Sequence, residues 1–213
     1  HFTFNFLIFF ETSSRSFLVL LIIIRLQPAS ARAMAQALPR PLPAPDTKAI
    51  LFFKYLLQVK QSSVFYIINK GEHAKIKEML HNLSLPEESF IIESKTHSEV
   101  PSAMQRMDAG IFFLESYYSK VASAPTKLGE FLAMGLPCVT NKNIGDNDLI
   151  LEGTLAGLVL NDFNDKALQG SVKELLRLTE NTEVANDCRK IAKKYFSLEE
   201  GASIYSKLYK DLS

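Results

Sequence analysis

From Thr47 onward the chain alternates between two apolar spacings. Ala49, Phe52, Phe53, Leu56 and Leu57 recur at helical intervals, and Val64 to Ile68 then form a β-branched and aromatic run suited to a buried strand that Gly71 closes. Ile76, Met79, Leu80 and Leu83 make the next helical stripe, followed by the short strand Phe90-Ile91-Ile92. A brief helix is expected from about Val100, with Pro101 in its first turn, to near Met107, and Ala109 to Leu114 is the next buried strand. After a loop from Glu115 to Ala124 come a helix, a strand around Val139 and another at Gly157 to Leu160. Strands alternating with helices imply crossover connections, hence a Rossmann-like parallel sheet with helices on both faces. Ligands in such sheets bind beyond the carboxyl ends of the strands. Three helices close the chain, at about Asp165 to Leu178, Glu183 to Tyr195 and Leu198 to Leu212, the last with an apolar stripe at Ile204, Tyr205, Leu208 and Leu212 that needs a cover.

Residues 1–45 read differently, as an irregular appendage outside the domain at 46–213. Phe2 to Phe10 is aromatic-rich, and Phe17 to Ile24 is an unbroken run of eight apolar residues between Arg15 and Arg25. That run is too short for a bilayer, which takes roughly 20 residues. It imitates a secretory signal, with Ala29-Ser30-Ala31 as a cleavage-like pattern, but Arg25 interrupts it and the chain begins at His1. A truncated upstream segment and association with a membrane periphery are the other readings. Gln27 to Asp46, with Pro28, Pro39, Pro41, Pro43 and Pro45, reads as an extended linker.

Composition narrows the function by exclusion. A chain of 213 residues with 47% hydrophobic and 22% charged content can bury a sizeable core. Its net charge of +1 gives no field directed at nucleic acid or acidic lipid, and Arg189, Lys190, Lys193 and Lys194 read as a solvated helix face. Cys138 and Cys188 have no ligand spacing, and Cys138 reads as a small core residue in a reducing, cytoplasmic setting. His73, His81 and His97 form no metal or nucleophile set and read as surface positions. Asp146-Asn147-Asp148 imitates a metal-holding Asp-x-Asp pattern, but follows Gly145 in a turn-like stretch from Asn141 to Asn147, so the turn reading is preferred.

The chemistry concentrates in Ser123 to Pro137. A helix opens at Pro125, whose missing NH costs nothing there, and stops at Gly135, which can adopt the left-handed cap conformation. Its first turn presents the backbone NH groups of Thr126, Lys127 and Leu128 with the positive end of the helix dipole behind them, an arrangement that can bind an anion. Glu130 follows Thr126 by four residues and shares its helix face, one turn deeper. A carboxylate only accepts hydrogen bonds, so it suits a pair of sugar hydroxyls beside a bound phosphate. The alternative is that Glu130 merely complements the dipole and Lys127 is solvated.

The wording Ser119-Lys120-x-Ala122-Ser123-x-Pro125-Thr126-Lys127-Leu128-Gly129-Glu130-Phe131-Leu132-Ala133-Met134-Gly135-Leu136-Pro137 resembles the donor-binding motif of family 4 glycosyltransferases, which have the GT-B fold. The similarity runs from about Asp46 to Ser213. It implies the C-terminal, nucleotide-sugar-binding half of such an enzyme, with the diphosphate at Thr126, Lys127 and Leu128 and the ribose at Glu130. It further implies a UDP- or GDP-linked sugar as substrate, no metal or other cofactor, and hexosyl transfer with retention to a glycan or lipid-linked glycan in polysaccharide biosynthesis. The family often carries a second glutamate, where this chain has Ala122, so sugar recognition falls by resemblance to Ser119, Lys120 or Ser123.

The catalytic residue stays unassigned. The family's basic residue early in this domain, its first strand with a glycine-rich loop, and the acceptor-binding N-terminal domain have no counterpart in the sequence. The expectation is therefore an incomplete chain, poorly active alone. Two alternatives are a nucleotide-binding or scaffold module that needs a partner chain, and a nucleotide-sugar epimerase.

Overall fold

The computed structural model describes residues 21–26, 45–114 and 126–211, with backbone alone at 21–26 and 45–46. The strands are β1 Leu21–Leu26, β2 Ser63–Ile68, β3 Phe90–Glu93, β4 Ala109–Ile111, β5 Cys138–Asn141 and β6 Gly157–Leu160. They form one sheet in the order β3-β2-β1-β4-β5-β6. The helices are α1 Pro45–Val59, α2 His73–Asn82, α3 Val100–Met104, α4 Thr126–Ala133, α5 Asn147–Leu151, α6 Asp165–Glu180, α7 Val184–Phe196 and α8 Leu198–Asp211.

The α/β architecture expected from the spacing is present, with helices on both faces. β2 and β3 are parallel, as are β4, β5 and β6. The difference is β1, which pairs antiparallel with both β2 and β4 at the centre of the sheet. Its residues fall in the stretch assigned above to the appendage. An uninterrupted apolar run is also the sequence form of a strand in mid-sheet, and only pairing with residues far along the chain distinguishes that from an unattached segment. Since β1 opposes both neighbours, β2 and β4 point the same way, and the carboxyl ends of β2 to β6 all lie at one edge of the sheet.

Alternating strand residues divide the core. Phe65 and Ile67 of β2 pack with Phe52, Phe53 and Leu56 of α1 and with Leu168 and Val172 of α6, whereas Tyr66 and Ile68 face the layer built by α3, α4, α5 and α7. Phe53 and Phe65 stack with ring centroids 4.4 Å apart. Cys138 and Cys188 are buried in the second layer, and burial drives both thiols up, Cys188 to about 12, which fits inert core residues. α8 has no buried residue, and Ile204, Tyr205 and Leu208 of its apolar stripe are exposed.

One contact in the second layer fixes how closely the motif helix sits on the sheet. A Cβ on Gly110 of β4 would stand 2.5 Å from Cγ of the Phe131 ring of α4. Gly110→Ala therefore pushes Phe131 outward, and overpacking of this kind costs roughly 1–3 kcal/mol. Urea denaturation should show a lower midpoint, and the double variant Gly110→Ala/Phe131→Leu should recover part of the loss.

Candidate functional site

The expected C-terminal boundary of α4 is observed, whereas Pro125, the expected start, lies outside the described residues. Gly135 has φ +79°, its NH donates to the Leu132 carbonyl at 2.9 Å, and the Leu136 NH donates to the Phe131 carbonyl at 3.0 Å. This paired closure is the Schellman cap that a left-handed glycine permits. Arg189, read from sequence as part of a solvated face, is exposed and also places its guanidinium 3.4 Å from the Met134 carbonyl, where a cation complements the negative end of the helix. α4 is held from a third side by Phe196 of α7, whose Cδ1 would lie 2.7 Å from a Cβ on Gly129.

The N-terminal end of α4 lies at the carboxyl edge of the sheet, because the chain reaches it from the carboxyl end of β4 and returns to the start of β5. The ladder of β4 is shorter than the strand expected to Leu114. The chain nonetheless continues beside β5, with the Phe112 NH on the Val139 carbonyl at 3.0 Å and the Leu114 NH on Oδ1 of Asn141 at 2.8 Å. Asn141 is buried at the end of β5 and so holds the chain in place as far as Leu114. Sequence reasoning missed it, although a polar residue closing an apolar strand was the available signal.

Within the first turn, Thr126 is exposed, Lys127 is half-buried and Leu128 is fully buried. Glu130 is half-buried one turn below, and its carboxylate makes no hydrogen bond among the described residues. Burial raises its pKa, against the opposing pull of the charges on His97 and Lys127. A half-buried carboxylate with no hydrogen bond among the described residues is a candidate ligand-binding group.

His97 was not expected near the site. It sits in the 3-10 turn His97–Glu99, where the Glu99 carboxylate takes the Thr96 NH at 2.7 Å and the Thr96 hydroxyl at 2.6 Å. Those two bonds hold the turn that follows β3 at the same edge of the sheet. α3 continues from it, and Ala103 and Met104 pack in one layer with Leu128 and Leu132 of α4. Ser119, Lys120 and Ser123 lie outside the described residues.

Asn147 is fully buried, its Nδ2 donating to the Thr140 hydroxyl at 3.1 Å, while Asp146 is exposed at the start of α5. The stretch read as a turn thus ends in a short helix. His73 bonds the Asn69 carbonyl at 2.7 Å, and His81 meets Glu87 at 2.6 Å on the surface. Among the described residues no three His, Cys, Asp or Glu side chains gather as a metal site, and no helix is long and apolar enough to cross a membrane.

Apart from the antiparallel β1, a sheet covered on both faces with the motif helix starting at its carboxyl edge is similar to one half of a GT-B glycosyltransferase. Residues 47–195 match the family of glycosyl transferases group 1, and the chain belongs to that family. Among solved structures it is similar to a point mutant of S. aureus TarM in complex with Fondaparinux, alpha-GlcNAc-glycerol and UDP, with TM-score 0.59 and 14% identity over 80% of this chain. It is also similar to sucrose-phosphate synthase from Thermosynechococcus elongatus, with TM-score 0.58 and 13% identity over 79% of this chain. The chain spans 34% and 42% of those two proteins' lengths. No curated protein sequence matches it.

Proposed function

We propose that the chain is the donor-binding domain of a family 4 glycosyltransferase. Glu130, half-buried one turn below the start of α4 and without a hydrogen bond among the described residues, carries this reading. In it the pyrophosphate of a UDP- or GDP-linked sugar lies against the NH groups of Thr126, Lys127 and Leu128, and Glu130 accepts from the ribose hydroxyls. Ser119, Lys120 and Ser123 reach the donor sugar. The bond from the anomeric carbon to the diphosphate breaks, a bond to an acceptor hydroxyl oxygen forms with retention, and the acceptor gives up its proton. Negative charge gathers on the departing diphosphate, where the helix end stabilises it, so the reading needs no metal. The acceptor is a glycan or lipid-linked glycan bound by a second domain, in cytoplasmic polysaccharide biosynthesis at the membrane periphery.

Titration calorimetry with UDP and with GDP tests the reading. One of the two should bind, and binding by neither overturns it. The pH dependence follows from Glu130. Its folded pKa is raised, so the penalty of burying its charge is absent below the usual carboxylate range and appears as pH rises through the folded value. At neutral pH the ligand-free Glu130→Gln variant should therefore melt above the wild type, and the difference should vanish in acid. Nucleotide affinity should fall as pH drops through the same value by more than titration of the terminal phosphate alone imposes, and Glu130→Gln should lose that additional dependence.

One observation favours a second reading. β1 holds the centre of the sheet in the opposite direction to its neighbours, where the family's first strand leads into a glycine-rich loop. Together with Ala122, that suits a nucleotide-binding module without catalysis, which needs a partner chain. Nucleotide binding without sugar transfer, and transfer restored by a second polypeptide, distinguishes the module from the enzyme.

A further inference from the structure

The rotation of α4 about its own axis decides where Glu130 stands. Leu128 and Leu132 are fully buried and pack in one layer with Ala103 and Met104 of α3. Glu130 lies midway between them in the chain, and two residues along a helix amount to a turn of about 200°, so its side chain leaves the opposite side of α4. Gly129 and Phe131 flank Glu130, each turned about 100° from it and to either hand.

Both flanks are contacts between a ring and a glycine. On one, the buried Phe131 lies against Gly110 of β4, where an added Cβ would meet Cγ of the ring at 2.5 Å. On the other, Phe196, half-buried as the last residue of α7, lies against Gly129. A Cβ on Gly129 would stand 2.7 Å from Cδ1, 2.8 Å from Cγ and 3.2 Å from Cβ of Phe196. Since Cβ of Phe196 is itself that near, swinging the ring aside does not clear the space. Glycine weakens a helix interior relative to alanine, and the close seat for Phe196 is what this one supplies.

We propose that Phe196 is a positioning residue for nucleotide binding: its ring, seated on Gly129, sets the rotation of α4 and with it the place of the Glu130 carboxylate against the ribose. This rests on the donor site proposed above. Side-chain ends lie about 5–6 Å from a helix axis and Cα atoms about 2.3 Å, so a turn of roughly 15° carries the carboxylate about 1.5 Å and the backbone about 0.6 Å. A misplacement of about 1 Å is the scale on which an oriented site fails. Disturbing the seat therefore acts on the nucleoside more than on the phosphates.

Titration calorimetry on the full chain tests this, with UDP, GDP and pyrophosphate, at a temperature where the melting curve shows each variant folded. Gly129→Ala should weaken binding of the nucleotide that the wild type takes by about tenfold or more, and of pyrophosphate by less than about twofold. Phe196→Ala should do the same. Gly129→Ala/Phe196→Ala puts the new methyl where the ring was, and should bind the nucleotide more tightly than either single variant. Should Gly129→Ala fail to fold, Phe196→Ala and the ring-preserving Phe196→Tyr serve, the second binding as the wild type does. Unchanged nucleotide affinity in both single variants overturns the inference and leaves the donor site standing. So does an equal loss for nucleotide and pyrophosphate, which is the mark of a general loosening of the fold. A wild type that binds neither UDP nor GDP overturns the donor site and this inference with it.

Discussion

Replacing Gly157 by alanine is expected to cost roughly 3 kcal/mol or more, at or beyond the upper end of ordinary overpacking losses. A Cβ at this position would stand 2.0 Å from the Cys138 carbonyl oxygen and 3.0 Å from the Cys138 carbonyl carbon and nitrogen. The obstacle is backbone, so no rotamer change relieves it. β5 cannot withdraw either, because its other side is paired with β4. The loss should appear as a lower urea midpoint with an unchanged slope, or as failure to fold. Gly170→Ala is the matching control. That glycine lies within α6 with nothing within 4 Å of its added Cβ, and alanine there should raise stability by about 0.5–1 kcal/mol. Wild-type stability for Gly157→Ala would mean that β5 and β6 are not paired in this register.

Glu130→Ala should weaken nucleoside diphosphate binding by about 1.5–3 kcal/mol, the range for a hydrogen bond to a charged group, or roughly 10- to 150-fold in Kd. The effect is local to the ribose. Removing the carboxylate should leave inorganic pyrophosphate binding nearly intact, because the helix end that holds the phosphates is backbone. It should not unfold the chain, since Glu130 makes no side-chain hydrogen bond among the described residues and its burial raises its pKa. Equal losses for the nucleotide and for pyrophosphate would assign Glu130 to the phosphates instead, and no loss for either would remove it from the site.

The helices and most strands were legible because each carries a local signal. α4 ends at Gly135, a mark that operates through backbone chemistry that neighbours cannot override. α1, α2 and β2 are set by apolar spacing over enough residues to be unambiguous. β1 was not legible, because its place in mid-sheet depends on partners at Ser63–Ile68 and Ala109–Ile111, far along the chain. α5 was read as the end of a turn because it is short and opens with Asp and Asn, which favour turns equally. The candidate site divides in the same way. Thr126 and Glu130 follow from helix geometry, whereas His97 and Asn141 come near the site only through the folding of β3 and β5. Gly110 and Gly129 were visible as glycines, but their roles reside in the rings of Phe131 and Phe196 that rest on them.

The central claim is that a nucleoside diphosphate lies across the first turn of α4. Amide hydrogen exchange, read residue by residue with and without saturating UDP or GDP, tests it most directly. The account predicts slowed exchange at Thr126, Lys127 and Leu128, preserved with pyrophosphate alone. Nucleotide binding that leaves those three amides unchanged and protects others instead would contradict it.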